Sequence, residues 1–127
     1  MACLGECMIR HRVVPILLLS ICLAGPALAQ INPFRGSNRT PLNADDIEAL
    51  TAATNRLLDR PQLVAGGSET WNNPKSGAGG TVTAGNPVKR QGLACRTVRY
   101  QTTVPGPHAE RSASLVWCKT KGGWKTG

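Results

Sequence analysis

The sequence predicts an α+β fold, in which one short amphipathic N-terminal helix packs on a small antiparallel sheet of four or five strands that carries one disulfide. Three observations lead to this prediction. Apolar residues repeat at helical spacing between residues 42 and 58, and the apolar period shortens towards two beyond residue 68. Cys95 and Cys118 also lie symmetrically about the turn-forming pair Gly106 and Pro107. The length of 127 residues favours a single domain.

Residues 1–29 have the pattern of a signal peptide. An apolar run at residues 13–23 is too short to span a bilayer, follows a basic stretch and precedes a small-x-small site that ends at Ala29. We expect cleavage between Ala29 and Gln30, after which no transmembrane segment remains. The protein is therefore expected to be exported and to reside in the periplasm, or at the outer membrane or cell surface, of a Gram-negative bacterium.

Three alternatives stay open for this leader. Met8 would begin a more ordinary signal sequence than Met1 does. A retained membrane anchor is the second alternative. A lipoprotein acylated on Cys22 is the third, although Ile21 stands where such a site requires a small residue. With cleavage after Ala29, the leader takes Cys22 and the two cysteines upstream of it away from the mature chain.

The helix is predicted to follow a flexible segment. Residues 30–41 are polar and rich in turn-forming residues, so the domain itself is expected to span residues 42–127. Asn43 is placed to cap a helix whose first turn is acidic, and Pro61 is placed to end it. The apolar face at helical spacing consists of Ile47, Leu50, Thr54, Leu57 and Leu58.

Short strands account for the rest of the chain. Two strands are predicted at residues 69–73 and 80–84, joined by a turn rich in Asn, Pro and Gly. Residues 86–92 are predicted to form a further turn region, and a long hairpin follows. Trp124 is expected on a last short strand after the turn at Gly122 and Gly123.

A turn centred between Gly106 and Pro107 fixes the register of the long hairpin. Residues on its two strands then pair so that their numbers sum to 213, which places Cys95 opposite Cys118. An even cysteine count in an exported chain implies one disulfide rather than a metal site or a reactive thiol. The cystine is expected on the more polar face of the hairpin.

The opposite face of the hairpin is expected to join the core. It carries Val98, Tyr100, Leu115 and Trp117, which we expect to pack against Trp71 and the helix. The same register places Arg96 opposite Trp117, where a guanidinium can stack on an indole ring.

Positive charge is concentrated in the C-terminal part of the chain. The formal net charge is +8, and beyond Asn86 Glu110 is the single acidic residue. The candidate anion-binding residues are Lys89, Arg90, Arg96, Arg99, Arg111, Lys119, Lys121 and Lys125. Such an excess favours anionic partners. In an exported protein we expect lipopolysaccharide, peptidoglycan or another envelope protein, whereas nucleic acid is disfavoured by export.

Catalytic motifs are not expected in the mature chain. Its one histidine, His108, lies in a predicted turn, where a solvated side chain is the ordinary role. Two paired cysteines and one histidine are too few ligands for zinc. The glycines at residues 77–80 lack the Lys-Ser/Thr of a phosphate-binding loop and favour a turn. We therefore predict no catalytic residue, no metal and no cofactor.

Three segments carry a resemblance to a known family. Residues 71–82 read WNNPKSGAGGTV, residues 92–96 read GLACR, and Cys118 is followed by Gly122, Gly123 and Trp124. In this order they resemble the W-x-N-P-x-x-G-x-x-G-x-V, G-x-x-C-R and closing C-R-x-x-x-G-x-W segments of the bacterial outer-membrane surface antigen family typified by the rickettsial seventeen-kilodalton antigen. The chain departs from that family in lacking a lipidated N-terminal cysteine and a glycine zipper, and in having Lys119 where Arg is usual.

The resemblance implies an exported, non-catalytic envelope protein with a small sheet and a Cys95–Cys118 disulfide. Together with the hairpin pattern, it gives the expected framework aromatics Trp71, Tyr100, Trp117 and Trp124. Our functional hypothesis is a structural or binding module whose basic C-terminal hairpin contacts anionic envelope polymers. The alternative is a small secreted inhibitor of a protease or lysozyme that acts through the loop at residues 105–108.

Overall fold

The computed structural model of the protein describes residues 31–35, 42–106 and 110–127. The predicted signal peptide, its cleavage site at Ala29 and Gln30, and the loop residues Pro107 and His108 lie outside this description. The described elements are one helix, α1 (Ala44–Leu58), and five strands, β1 (Ser68–Asn73), β2 (Ala78–Arg90), β3 (Leu93–Thr103), β4 (Glu110–Thr120) and β5 (Gly123–Thr126). All five strands form one antiparallel sheet in the order β1-β2-β3-β4-β5. The α+β class, the antiparallel sheet and the disulfide are confirmed.

The helix α1 begins at the predicted cap. The Asn43 side chain accepts a hydrogen bond from the backbone N–H of Asp46 at 2.8 Å, and the Asp46 carboxylate accepts one from the backbone N–H of Asn43 at 3.0 Å. This reciprocal pair satisfies two N–H groups that a helix start would otherwise leave free. The helix residues that are buried are Asp46, Ile47, Leu50, Ala53, Thr54, Leu57 and Leu58.

Asp46 also ties α1 to the turn between β1 and β2. Its carboxylate accepts hydrogen bonds from Asn73 Nδ2 and Ser76 Oγ, each at 2.6 Å. Burial alone would raise the pKa of Asp46, but the hydrogen bonds from Ser76, from the Asn43 backbone and from Asn73 hold this pKa below its ordinary value of 3.8. The ionised carboxylate is therefore the form that fastens the helix to the sheet.

The turn predicted at residues 86–92 is wrong in extent. Strand β2 continues through residues 86–90, and only Gln91 and Gly92 form the turn to β3. Both turn residues have positive φ, 49° and 77°, as expected for a two-residue hairpin turn. The Gly85-Asn86-Pro87 stretch that suggested a turn instead lies at a register shift between Ala84 and Pro87. A bulge accommodates a proline that regular strand pairing would exclude.

The predicted register of the long hairpin is confirmed. Pairs from Cys95 and Cys118 to Thr103 and Glu110 all follow the sum of 213. The cystine joins directly opposed residues, with Cα atoms 4.0 Å apart. Its two residues lie on the face that also carries exposed polar side chains, yet they are only 2% and 5% exposed. The disulfide thus closes a hairpin whose strands are already paired.

The core lies between α1 and one face of the sheet. It contains Trp71, Val82, Val98, Tyr100 and Trp117, and helix residues complete it. The helix packs mainly on β1 and β2. Two details differ from expectation: Leu115 is only half-buried at the margin of the core, and Phe34, from the segment expected to be flexible, is buried in it.

The sheet has two distinct ends, because successive turns of an antiparallel meander lie alternately at one end of the strands and at the other. At one end, the start of α1, the β1–β2 turn and the β3–β4 loop lie together; a Cβ added at Gly77 would lie 3.0 Å from Pro105 Cγ. At the other end lie the β2–β3 turn, the β4–β5 turn and the connector from α1 to β1 at residues 59–67. No helix in the described ranges has the length and apolar character needed to cross a membrane.

Candidate anion-binding end of the sheet

Six of the eight candidate cations gather at one end of the sheet. They lie on the strand ends that flank the β2–β3 and β4–β5 turns, or in the second of these turns, and are Lys89, Arg90, Arg96, Lys119, Lys121 and Lys125. All six are exposed except Arg96, which is half-buried. We call this region, together with the connector at residues 59–67, the basic end.

Acidic residues are concentrated at the opposite end. Asp45, Asp46 and Glu48 lie at the start of α1, and Glu110 begins β4 beside the β3–β4 loop. Two acidic residues lie on the side of the basic end: the exposed Asp59, which caps the C-terminus of α1, and Glu69 near the start of β1, which pairs with Arg56 and Arg60. Charge is therefore separated along the strands, which gives the domain a positive pole and a negative pole.

A cleft of about 500 Å³ lies at the basic end, between the end of α1 and the sheet. Its positively charged lining residues are Arg60, Lys89, Arg96 and Lys119, and its apolar lining residues include Leu58, Leu63, Pro87, Val88 and Trp124. No carboxylate is among the described residues that line it. An apolar floor with cations at its margin suits an anionic partner that also has apolar groups.

Arg96 holds the connector against the sheet. Its Nη1 donates to the carbonyl oxygen of Gly85 at 3.1 Å, and its Nη2 donates to the carbonyl oxygen of Leu63. Register places Arg96 opposite Trp117, as predicted, and the stacking of the two side chains stays a prediction. Both acceptors are neutral carbonyls, so neither of these contacts offsets the charge of the guanidinium at the wall of the cleft.

Arg60 was not predicted as a site residue. It donates to a Glu69 carboxylate oxygen at 2.6 Å and to the Ser68 carbonyl oxygen at 2.6 Å. The hydrogen bond from Arg60, supported by one from Arg56, holds the pKa of Glu69 below its ordinary value. Since Glu69 offsets much of the charge of Arg60, the cleft depends mainly on its other three cations.

Two further cations of the basic end lie on the other side of the sheet. Arg90 and Lys125 line a second cavity of about 480 Å³, together with Leu93 and Cys118. Lys121 is exposed in the turn between β4 and β5. Positive charge therefore surrounds the two turns on both faces of the sheet.

Arg99 and Arg111 lie apart from this cluster. Arg99 is exposed in the middle of β3, on the polar face. Arg111 pairs with Thr102 near the opposite end and is only 5% exposed. Its Nε and Nη1 have no hydrogen-bond partner among the described residues. The structure does not bring Arg111 together with the cations of the basic end, because Arg111 lies at the opposite end of β4.

The four framework aromatics divide between core and surface. Trp71, Tyr100 and Trp117 are buried, and Trp117 Nε1 donates to the Tyr100 hydroxyl at 2.9 Å. The Tyr100 hydroxyl also shares a hydrogen bond with Thr54, and burial raises the pKa of Tyr100 above its ordinary value of 10.0. Trp124 is half-buried and lines the cleft. It is therefore the framework aromatic that a partner can reach.

Metal binding gives no alternative site in the described ranges. No group of three or more His, Cys, Asp or Glu side chains there is placed to hold a metal ion. His108 and Pro107, which belong to the predicted inhibitor loop, lie outside those ranges. Comparisons of the chain with protein-family models, with curated proteins and with solved structures gave no match. The function must therefore be argued from the geometry of the basic end.

Proposed function

We propose that this protein is a non-catalytic, exported module of the Gram-negative cell envelope that holds anionic envelope polymers through its basic end. In this proposal it is a structural or binding protein similar to the outer-membrane surface antigens, located in the periplasm or at the outer membrane. The amphipathic N-terminal helix serves to cover the sheet. The polymers are peptidoglycan, with its carboxylates, or the phosphorylated saccharides of lipopolysaccharide.

One observation carries the proposal: six cations of the C-terminal half collect at the basic end, beside a cleft whose described lining contains no carboxylate. Exposed like charges that are 10 Å or so apart repel one another only weakly at physiological salt, so they can coexist without a partner. A polymer with regularly spaced anions can contact several of them at once. Affinity for such a partner then grows with the number of contacts rather than with the strength of any one.

The separation of charge along the strands supports an orientation in which the basic end faces the anionic polymer. The negative pole at the start of α1 points away from any anionic surface that the basic end approaches. Long-range steering of this kind raises association rates and weakens steeply with ionic strength. The proposal therefore requires salt-sensitive binding in a single orientation.

The test is retention of the purified protein on isolated peptidoglycan sacculi and on a matrix that carries delipidated lipopolysaccharide saccharide. Lys119→Gln and Lys121→Gln remove exposed cations from the basic end, whereas Lys75→Gln removes one from the opposite end, where Lys75 is 85% exposed and lies 3.7 Å from Asp45. All three changes lower the net charge equally. We expect each change at the basic end to weaken retention about fivefold, and Lys75→Gln to leave it unchanged.

Equal effects of the three substitutions would contradict the proposal, because retention would then follow net charge and not the basic end. Retention that is indifferent to salt would contradict it as well. The inhibitor alternative is addressed by adding an excess of the protein to lysozyme and to a general protease; inhibition that survives Lys119→Gln would favour it.

A further inference from the structure

The exposed large hydrophobic residues of the described chain all belong to the basic end. They are Val64, Val88 and Leu93, which are 61%, 38% and 37% exposed. Val88 lines the cleft and Leu93 lines the cavity on the other face, while Val64 directly follows Leu63, a wall residue of the cleft. Each of these exposed side chains would be ordinary alone, and what they share is their position beside the cations of the basic end.

Two of these apolar side chains flank a pair of cations in one short segment. The strand ends on either side of the β2–β3 turn carry Val88, Lys89, Arg90 and Leu93 within six consecutive positions, and the turn itself is the pair Gln91 and Gly92. Because only two residues separate the strands, the cations and the apolar side chains lie close together at the end of one hairpin. A hydrated polysaccharide would contact the cations and leave the valine and the leucine in water.

Trp124 adds a third type of side chain to this end. It is half-buried at the cleft, on the strand β5 that follows the second turn. Tryptophan, with an apolar ring system and one N–H donor, is the residue type enriched where protein crosses the boundary between hydrocarbon and water. The basic end thus combines cations that can contact phosphates, exposed apolar side chains and an amphipathic indole ring. This combination is suited to the interface of a lipid bilayer.

We propose that the basic end docks on the surface of an anionic lipid bilayer, with Val88 and Leu93 entering the headgroup region and the surrounding lysines and arginines contacting lipid phosphates. This inference rests on the proposed function in using the same positive end of the domain. It differs in the partner, which is the surface of a lipid bilayer and not a saccharide polymer of the envelope. The strands then stand steeply on the membrane, and the acidic start of α1 points away from it.

The test is co-sedimentation with phosphatidylcholine vesicles that contain or lack phosphatidylglycerol. The protein is used as bacteria produce it, and its intact mass is measured first, so that a retained leader or an attached lipid is recognised. We expect binding to the anionic vesicles, weakened by salt, and little binding to the neutral ones. A retained leader or an acyl chain would bind both kinds of vesicle, and equal binding to both would overturn the proposal.

Two matched pairs of variants separate insertion from charge. The double change V88S/L93S removes the apolar tips, and V88I/L93M keeps them apolar at nearly the same size. We expect the serine variant to bind anionic vesicles at least about tenfold more weakly and the conservative variant to bind like the original protein. Lys121→Gln should weaken vesicle binding about fivefold, and Lys75→Gln should not change it.

Fluorescence quenching reports which side chain of the bound protein lies against the lipid. Trp71 and Trp117 are buried in the core, so a lipid-borne bromine quencher at headgroup depth should quench only Trp124. Quenching should disappear in Trp124→Phe while sedimentation with the vesicles persists. Undiminished quenching in that variant would overturn the proposed orientation.

The outcomes distinguish this inference from the proposed function. Binding to sacculi and saccharide without binding to anionic vesicles would overturn the bilayer inference and leave the proposed function standing. Vesicle binding that V88S/L93S does not weaken would overturn it too, because charge alone would then suffice. Failure to bind polymers and vesicles alike would overturn both. Vesicle binding lost in V88S/L93S, with polymer retention unchanged in that variant, would support both.

Discussion

Removal of the Cys95–Cys118 disulfide should cost this domain a large share of its stability. The bond closes a loop between residues 23 positions apart. In the chain-entropy model such a cross-link contributes roughly 3 kcal/mol by restricting the unfolded chain. Small domains have total unfolding free energies of about 5–10 kcal/mol. Because the strands that the bond joins are held together by backbone pairing as well, C95A/C118A should still fold, with its unfolding midpoint clearly lowered.

Urea unfolding followed by tryptophan fluorescence measures this cost. The oxidised protein, the protein in reductant and C95A/C118A should give three curves, of which the last two nearly coincide. The slope of free energy against urea should rise slightly without the bond, since the unfolded chain then exposes more surface. The entropic account would be refuted if C95A/C118A unfolded at the same urea concentration as the oxidised protein, or if reductant shifted the curve of C95A/C118A.

Three further predictions concern the helix, the core and a close backbone approach. Tyr100→Phe leaves the buried Trp117 Nε1 without its acceptor, so the unfolding free energy should fall by about 1–3 kcal/mol, as urea denaturation measures; no loss would contradict the hydrogen bond. The pKa of the Asp46 carboxylate is lowered in the folded state, so this group stabilises the fold above the ordinary pKa of an aspartate and loses that effect as the pH falls through the folded pKa. Asp46→Asn should therefore reduce the loss of unfolding free energy on acidification, as urea denaturation at a series of pH values measures. An unchanged loss on acidification would contradict the linkage. A Cβ at Gly80 would lie 2.0 Å from the Gln101 carbonyl oxygen, so G80A should destabilise the fold by at least about 2 kcal/mol. In the control G122A the Cβ would meet no atom closer than 3.8 Å, so the stability should change by no more than about 0.5 kcal/mol. Thermal melts measure both, and similar melts for the two variants would refute the close approach at Gly80.

Much of the fold is encoded locally and could be predicted from sequence. Asn43 and the acidic first turn specify where α1 begins, because side-chain capping acts over three residues. The register of the long hairpin could be predicted from one turn and two cysteines, since in antiparallel strands one known pair fixes all the others. The length of β2 could not be predicted, because the Asn86-Pro87 pair ordinarily marks a turn. Only pairing with the neighbouring strand allows a bulge there.

The candidate site was less predictable, since composition identifies cations but not their surroundings. Arg111 and Lys119 lie on the same side of β4, yet the first is buried and the second exposed, because they belong to opposite ends of the sheet. Arg60 follows the helix by two residues and carries no motif, and it reaches the cleft only through the folding of the connector. The clustering of Val64, Val88 and Leu93 likewise joins residues from two separate segments.

The strictly sequential order of the sheet bears on how the protein matures. Every strand pairs with its neighbour in the chain, so the sheet can be built one hairpin at a time, each closed by a short connection. The thiols of Cys95 and Cys118 meet as soon as one hairpin forms, an event on the microsecond scale in isolated peptides. Oxidation can therefore follow hairpin formation without waiting for α1 to dock. If the leader is cleaved after Ala29 as predicted, Cys95 and Cys118 are the two cysteines that remain, and their maturation then requires an oxidant but no reshuffling of disulfides.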